Sequence, residues 1–136
     1  MEGASPARLY ATLVGGTLVV VGIIGFFFSA SFGSPGTVDD AFGILAVNAW
    51  HNIVHILTGA IGLLVAGYAA RQYALCLGVV YIAIAIWGFV IGSGESILGF
   101  IPINTEDNFL HLILGVLGVG AAVATPAEGA RAAPAT

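Results

Sequence analysis

Charge is what this chain has least of. Only 7% of its 136 residues are charged, against roughly 25% in an ordinary soluble domain, and its three basic residues are all arginine. Seven carboxylates bring the formal net charge to −4. With no basic cluster anywhere, nucleic acid and an anionic lipid surface are poor candidates for the main partner. Cysteine occurs once, at Cys76, which excludes a disulfide framework and a thiolate metal site. Inside its apolar run, Cys76 reads as a small buried hydrophobe. No glycine-rich phosphate loop follows a strand-like run, and no serine stands near a histidine in a nucleophile arrangement, so hydrolytic chemistry has no support. Alternation of period two is missing as well, which disfavours membrane strands.

Apolar residues fill the space that charge leaves. The chain is 59% hydrophobic, and its apolar runs are far longer than the roughly 10 residues of a membrane strand. Lipid offers no partner to backbone polar groups, so such runs must be helices. The expected fold is therefore all-α, a polytopic membrane protein of one domain. Four transmembrane helices are placed at about 9–30, 44–70, 73–91 and 107–125, after a cytoplasmic lead over 1–8 and before a disordered Ala/Pro-rich tail over 126–136. The first run exceeds the ~15-residue upper end of a signal-peptide core, which disfavours cleavage after the small Ser29 and Ala30. Arg71-Gln72 divides the long apolar stretch from Ile44 to Ile91 into two antiparallel neighbours. The segments 31–43 and 92–106, with their Gly and Pro punctuation, read as loops.

Arg8, Arg71 and Arg131 fall at the amino end, the central turn and the carboxyl tail. The two long loops have no basic residue. The positive-inside bias makes this a multi-pass cell-membrane protein with both termini cytoplasmic and both acidic loops outside. Trp50 then reads as an outer-interface aromatic, Trp87 as packed within the bundle, and Tyr10, Tyr68 and Tyr73 as cytoplasmic-side anchors.

Two stretches repeat. A shift of 56 positions carries Asn48, Asn52, His55, Gly59 and Gly62 onto Asn104, Asn108, His111, Gly115 and Gly118, with His51 falling on Asp107. A shift of 63 carries Tyr10, Gly15, Gly25 and Phe26 onto Tyr73, Gly78, Gly88 and Phe89. The chain reads as two tandem pseudo-repeated helical hairpins.

Side chains four apart share a helix face, so His51 pairs with His55 and Asp107 with His111. If a pseudo-twofold axis relates the halves, these pairs meet near it. Three imidazoles and a carboxylate suit zinc, iron or copper, and His51, His55, Asp107 and His111 are the candidate metal ligands. Asn48, Asn52, Asn104 and Asn108 form a supporting polar network. A purely structural reading stands beside this one. Asn48 and Asn104 are good helix caps, Asp107 suits the first turn of a helix, and the remaining Asn and His side chains can bond between helices, where glycines allow close approach. Haem between His55 and His111, in an electron carrier, is a further alternative. A small transporter is another, weakened because the first and third spans lack an acidic residue. Glu95 reads as a solvated loop carboxylate, with a fifth ligand or proton acceptor as its other possible role.

The paired signatures NAWHNIVHILTG, from Asn48 to Gly59, and IPINTEDNFLHLILG, from Ile101 to Gly115, resemble the small bacterial four-helix membrane proteins of domain of unknown function family 4383. The resemblance runs from about Arg8 to Ala122. It implies fold and membrane location, and brings no activity or cofactor with it. The expected function is that of a non-catalytic or accessory membrane protein, in contact with lipid and with a homo-oligomeric or other membrane partner.

Overall fold

The structure, a computed structural model, describes residues 4–32 and 39–127. Arg131 and most of the expected tail lie outside the described residues. The chain is mostly helical. Helix α1 (Pro6–Gly25) leads to a strand pair, β1 (Asp39–Ala41) and β2 (Leu45–Val47), and then to α2 (Ala49–Val65) and α3 (Ala70–Ile91). A second strand pair, β3 (Ser96–Ile97) and β4 (Ile101–Pro102), precedes α4 (Thr105–Ala124). By length and composition α1, α3 and α4 can each cross a membrane, at 20, 22 and 20 residues, while α2 is shorter at 17.

Local chemistry sets these boundaries. Helix α1 starts earlier than expected, at Pro6, because the Ser5 hydroxyl accepts from the Arg8 N–H at 3.3 Å and Pro6 needs no partner for an N–H it lacks. It ends at Gly25 rather than Ala30, since the next three N–H groups turn back in tightened i−3 bonds, such as Phe28 to the Gly25 carbonyl at 3.0 Å.

The segment 92–106 read as a loop contains an antiparallel hairpin, with Ile97 opposite Ile101, and another begins within the segment 31–43 and runs past its end, with Ala41 opposite Leu45. Leu45–Val47 is therefore spent in β2, and the helix expected from about 44 starts only at Ala49. Each hairpin turns on a bulky residue followed by glycine, both left-handed: Phe42 at φ 56° with Gly43 at 69°, and Leu98 at φ 54° with Gly99 at 80°. Two successive positive φ values give the turn a twist that matches the flanking strands.

Helix α1 packs on α2, and α3 packs on α4. Both contacts are backbone-close at glycine: a Cβ on Gly59 would lie 2.5 Å from the Gly15 carbonyl oxygen, and one on Gly78 would lie 2.8 Å from that of Gly115. Small residues permit this approach where lipid supplies no hydrophobic drive between helices. The central core joins the two pairs through Ala7, Tyr10, Ala11 and Leu18 of α1 and Tyr73, Ala74, Leu77 and Tyr81 of α3.

Three expectations about single side chains are overturned. Tyr10 and Tyr73 are not interfacial anchors: both are buried, donating to the carbonyls of Leu114 at 2.8 Å and Thr58 at 3.0 Å. Only Tyr68 is exposed, at 69%. Cys76 is exposed rather than buried, on the outward side of α3 with Leu75, Val79 and Val80. Trp87, expected inside the bundle, is 43% exposed beside Ile86.

Hydrogen bonds define the two ends of the molecule. At one, Thr125 accepts from the Ala7 N–H through Oγ1 at 2.9 Å and from Arg71 Nε through its carbonyl at 3.1 Å, gathering the start of α1, the start of α3 and the end of α4. At the other end lie the two hairpins. Asn48 Nδ2 donates to the Phe100 carbonyl at 2.7 Å and Asn104 Nδ2 donates to the Ile44 carbonyl at 2.6 Å.

Candidate metal centre

The site forms at the hairpin end, in the first two turns of α2 and α4. Asn48 caps α2, its Oδ1 accepting from the His51 N–H at 2.9 Å. The cap fixes where the helix begins and so puts His51 in the first turn, with His55 on the same face one turn further. Asn104 caps α4 in the same way, accepting from the Asp107 N–H at 2.8 Å, while Asp107 Oδ2 accepts in return from the Asn104 N–H at 3.1 Å. This is a reciprocal capping box. His111 follows on the same helix.

Three of the four expected ligands come together. The side chains of His51, His55 and His111 bring one ligand atom each to within 4.8 Å of one another. Their ring centroids are 4.4 Å apart for His51 and His55, 6.1 Å for His51 and His111, and 6.4 Å for His55 and His111. His51 is 2% exposed and His111 7%. In tetrahedral coordination with bonds of about 2.0–2.1 Å, donors lie about 3.3 Å apart, a spacing the triad would reach by drawing together.

Asp107 is not part of this cluster. Its Oδ2 is engaged by the capping box and by the Ala46 N–H at 3.0 Å. Ala46 also holds the triad, because its carbonyl faces His51 Nδ1 at 2.8 Å. A carbonyl only accepts, so Nδ1 carries the proton and the neutral ring keeps its lone pair on Nε2; the Pro102 carbonyl is a second backbone partner of the ring. Histidines that bind metals are commonly oriented by such a bond from their other nitrogen.

Among the described residues, His55 Nδ1 and His111 Nδ1 are buried with no hydrogen-bond partner. Buried polar atoms are nearly always paired, so two orphans on rings of one cluster call for an explanation. Tyr81 lies against His111 with ring centroids 4.9 Å apart. Neither Tyr81 nor Ala46 was singled out from the sequence. Tyr81 offered a faint signal as a phenol in the middle of an apolar run, and Ala46 offered none, since it acts through its backbone.

The supporting amides divide. Asn48 and Asn104 cap the helices and cross between hairpins, as above. Asn52 Nδ2 donates to the Ser29 carbonyl at 2.9 Å, while Asn52 Oδ1 and Asn108 Oδ1 are buried without a partner among the described residues and lie against Gly25 and Gly88. Glu95 is exposed and stands apart from the triad; its carbonyl accepts from the Ile103 N–H at 3.1 Å. Between the hairpins lies a cleft of about 460 Å³, lined by Asp40, Ile44, Ala46, Asn104 and Glu106 among others. Ala46 is thus shared by the cleft wall and the His51 hydrogen bond.

The molecule is a helical protein with membrane-type apolar helices and a buried histidine cluster near one end. It belongs to the uncharacterised family described as Domain of unknown function (DUF4383), whose model matches residues 8–124. No curated protein and no solved structure matches the chain.

Proposed function

We propose that this is a four-span membrane protein built from two tandem helical hairpins, with His51, His55 and His111 holding a transition-metal ion near its outer surface. In this reading it is an accessory, ion-holding protein rather than an enzyme. One observation carries the proposal: three imidazoles bring one ligand atom each to within 4.8 Å of one another, and two of their buried ring nitrogens have no partner among the described residues.

The tandem arrangement is supported by bonds that occur in matched pairs. Asn48 and Asn104, 56 positions apart, donate to the carbonyls of Phe100 and Ile44, which are also 56 apart. Tyr73 and Tyr10 donate to Thr58 and Leu114, again 56 apart. At 17 residues, α2 falls within the roughly 17–25 that span a bilayer. Arg71 and the start of α1, where Arg8 lies, share the Thr125 end. The positive-inside bias puts that end, and both termini, in the cytoplasm and the hairpins outside. The cleft between the hairpins, with Asp40 and Glu106 in its lining, is then the approach for a cation.

A purely structural polar network is the second reading, favoured by the bonds that already account for Asn48, Asn104 and Asp107. It leaves the His55 and His111 nitrogens unexplained. Haem fits less well than an ion, because a macrocycle between His55 and His111 would have to occupy the place of the His51 ring, 4.4 and 6.1 Å from theirs.

The test is elemental analysis and a visible spectrum of the detergent-purified chain beside a His55→Ala, His111→Ala double variant. Stoichiometric metal lost in the variant supports the site, and a Soret band lost with it identifies haem. Neither metal nor chromophore, in protein never exposed to chelator, leaves the polar network as the better account.

A further inference from the structure

The ligand set carries no negative charge, and that bears on which ion it takes. Resting on the metal-site reading, we infer that the His51, His55, His111 triad selects a monovalent ion, Cu(I), over divalent zinc, iron or copper. Ligating histidines are neutral imidazoles. Asp107, the one carboxylate expected among the ligands, is instead held by the N–H groups of Ala46 and Asn104. Among the described residues the triad is the only group of three or more His, Cys, Asp or Glu side chains placed to hold an ion, and it contains no acidic member. The full charge of a bound ion therefore has no anionic ligand beside it.

The surroundings make that charge expensive. His51 and His111 are almost wholly buried, and the Tyr81 ring lies against His111 with ring centroids 4.9 Å apart. The cost of moving an ion out of water is severe in such a medium. It grows as the square of the charge, so a divalent ion is penalised about fourfold relative to a monovalent one of similar size. The site also sits near the amino-terminal turns of α2 and α4, whose aligned peptide dipoles present partial positive charge, offset on α4 by Glu106 and Asp107 in its first turn. On α2, whose first turn has no acidic residue, that field opposes any cation, and a doubly charged one twice as strongly. The Ala46 and Pro102 carbonyls beside His51 supply partial, not full, negative charge.

Imidazole suits copper as it suits zinc, so charge and coordination number rather than ligand type separate the ions: three-coordinate Cu(I) requires no fourth donor. Zinc normally adds a water or hydroxide to three protein ligands. A zinc ion here would lower its charge only by carrying hydroxide, with release of a proton.

The experiment compares the two ions on full-length, detergent-solubilised protein in a Cys76→Ser background, since the exposed Cys76 thiol would otherwise bind copper. Cu(I) is titrated anaerobically in competition with bicinchoninate, and Zn(II) in competition with 4-(2-pyridylazo)resorcinol. Cu(I) should bind one per chain and about a hundredfold more tightly than Zn(II), and a His55→Leu, His111→Leu variant of unchanged circular dichroism should lose it. Zinc binding as tight as copper overturns the selection by charge while leaving the triad as a metal site. Binding of neither ion overturns both this inference and the metal-site reading. Cu(I) retained by the double variant overturns the assignment to these histidines.

Discussion

The Asn48 side-chain amide donates to the backbone carbonyl of Phe100 at 2.7 Å while its oxygen caps α2. One side chain thus starts a helix and clasps the hairpin that precedes the other histidine-bearing helix. Asn104 does the same in return, capping α4 and donating to Ile44 at 2.6 Å. Because the histidines lie within two turns of these caps, the clasp sets how far α2 and α4 stand apart at the level of the triad.

Replacing Asn48 by alanine removes both functions. The cap alone is worth about 0.5–2 kcal/mol, and the bond to Phe100 about 1 kcal/mol more. Asn48→Asp keeps the accepting oxygen and loses the donor, so its melting temperature in detergent should fall between wild type and Asn48→Ala. An aspartate variant as stable as wild type would mean that the clasp to Phe100 contributes nothing.

Glycines separate by what surrounds them. A Cβ on Gly25 would enter the side-chain amide of Asn52, and one on Gly88 that of Asn108, whereas a Cβ on Gly16 meets nothing within 4 Å. Gly25→Ala and Gly88→Ala should each cost about 1–3 kcal/mol through overpacking. Gly16→Ala should be neutral or slightly stabilising, since alanine is favoured over glycine by about 1 kcal/mol in a helix interior. Unfolding curves in a single detergent distinguish the two groups. Equal losses at Gly16 and Gly25 would contradict the packing described.

The caps and the histidine faces were legible in the sequence because they rest on short-range rules. Asn48 and Asn104 precede apolar runs, and a spacing of four aligns His51 with His55 on any helix. The hairpins were not legible, since strands of two or three residues are too short to show period two. Phe42 and Leu98 are also unusual residues for left-handed turns. Cys76 and Trp87 were misjudged for a different reason. A helix that is apolar all round has no amphipathic stripe to mark its inner side. The inward face of α3 is marked instead by Tyr73, Gly78, Tyr81, Ala85 and Gly88, a pattern of small residues and tyrosine that carries little hydropathy signal. Asp107 could be expected as ligand or as cap from the same spacing, and the N–H groups of Asn104 and Ala46, both donating to its Oδ2, put it with the cap.

Orientation can be read by labelling. In a Cys76→Ala background, single cysteines at Glu95 and Ser93, both exposed beside the second hairpin, should react in intact cells with a membrane-impermeant maleimide. A cysteine at Gln72, exposed near the Arg71 end, should react only after permeabilisation. The reverse pattern would place the arginines outside and remove the argument for an outward-facing site.

The two readings of the histidines differ most in the metal-free protein. If the triad is structural glue, His111→Leu breaks a stabilising network and costs about 1–3 kcal/mol with or without metal. If the triad is an ion site, the metal-free state already bears the cost of His111 Nδ1, buried and unpartnered. Leucine of similar bulk should then be neutral or stabilising in the presence of chelator. With metal at about a hundred times its Kd, wild type gains about 2.7 kcal/mol and the variant little or nothing. Thermal unfolding of both proteins, with chelator and with metal, gives four values. A site requires their order to reverse between the two conditions, and an order that stays fixed with wild type always ahead would leave the histidines as packing.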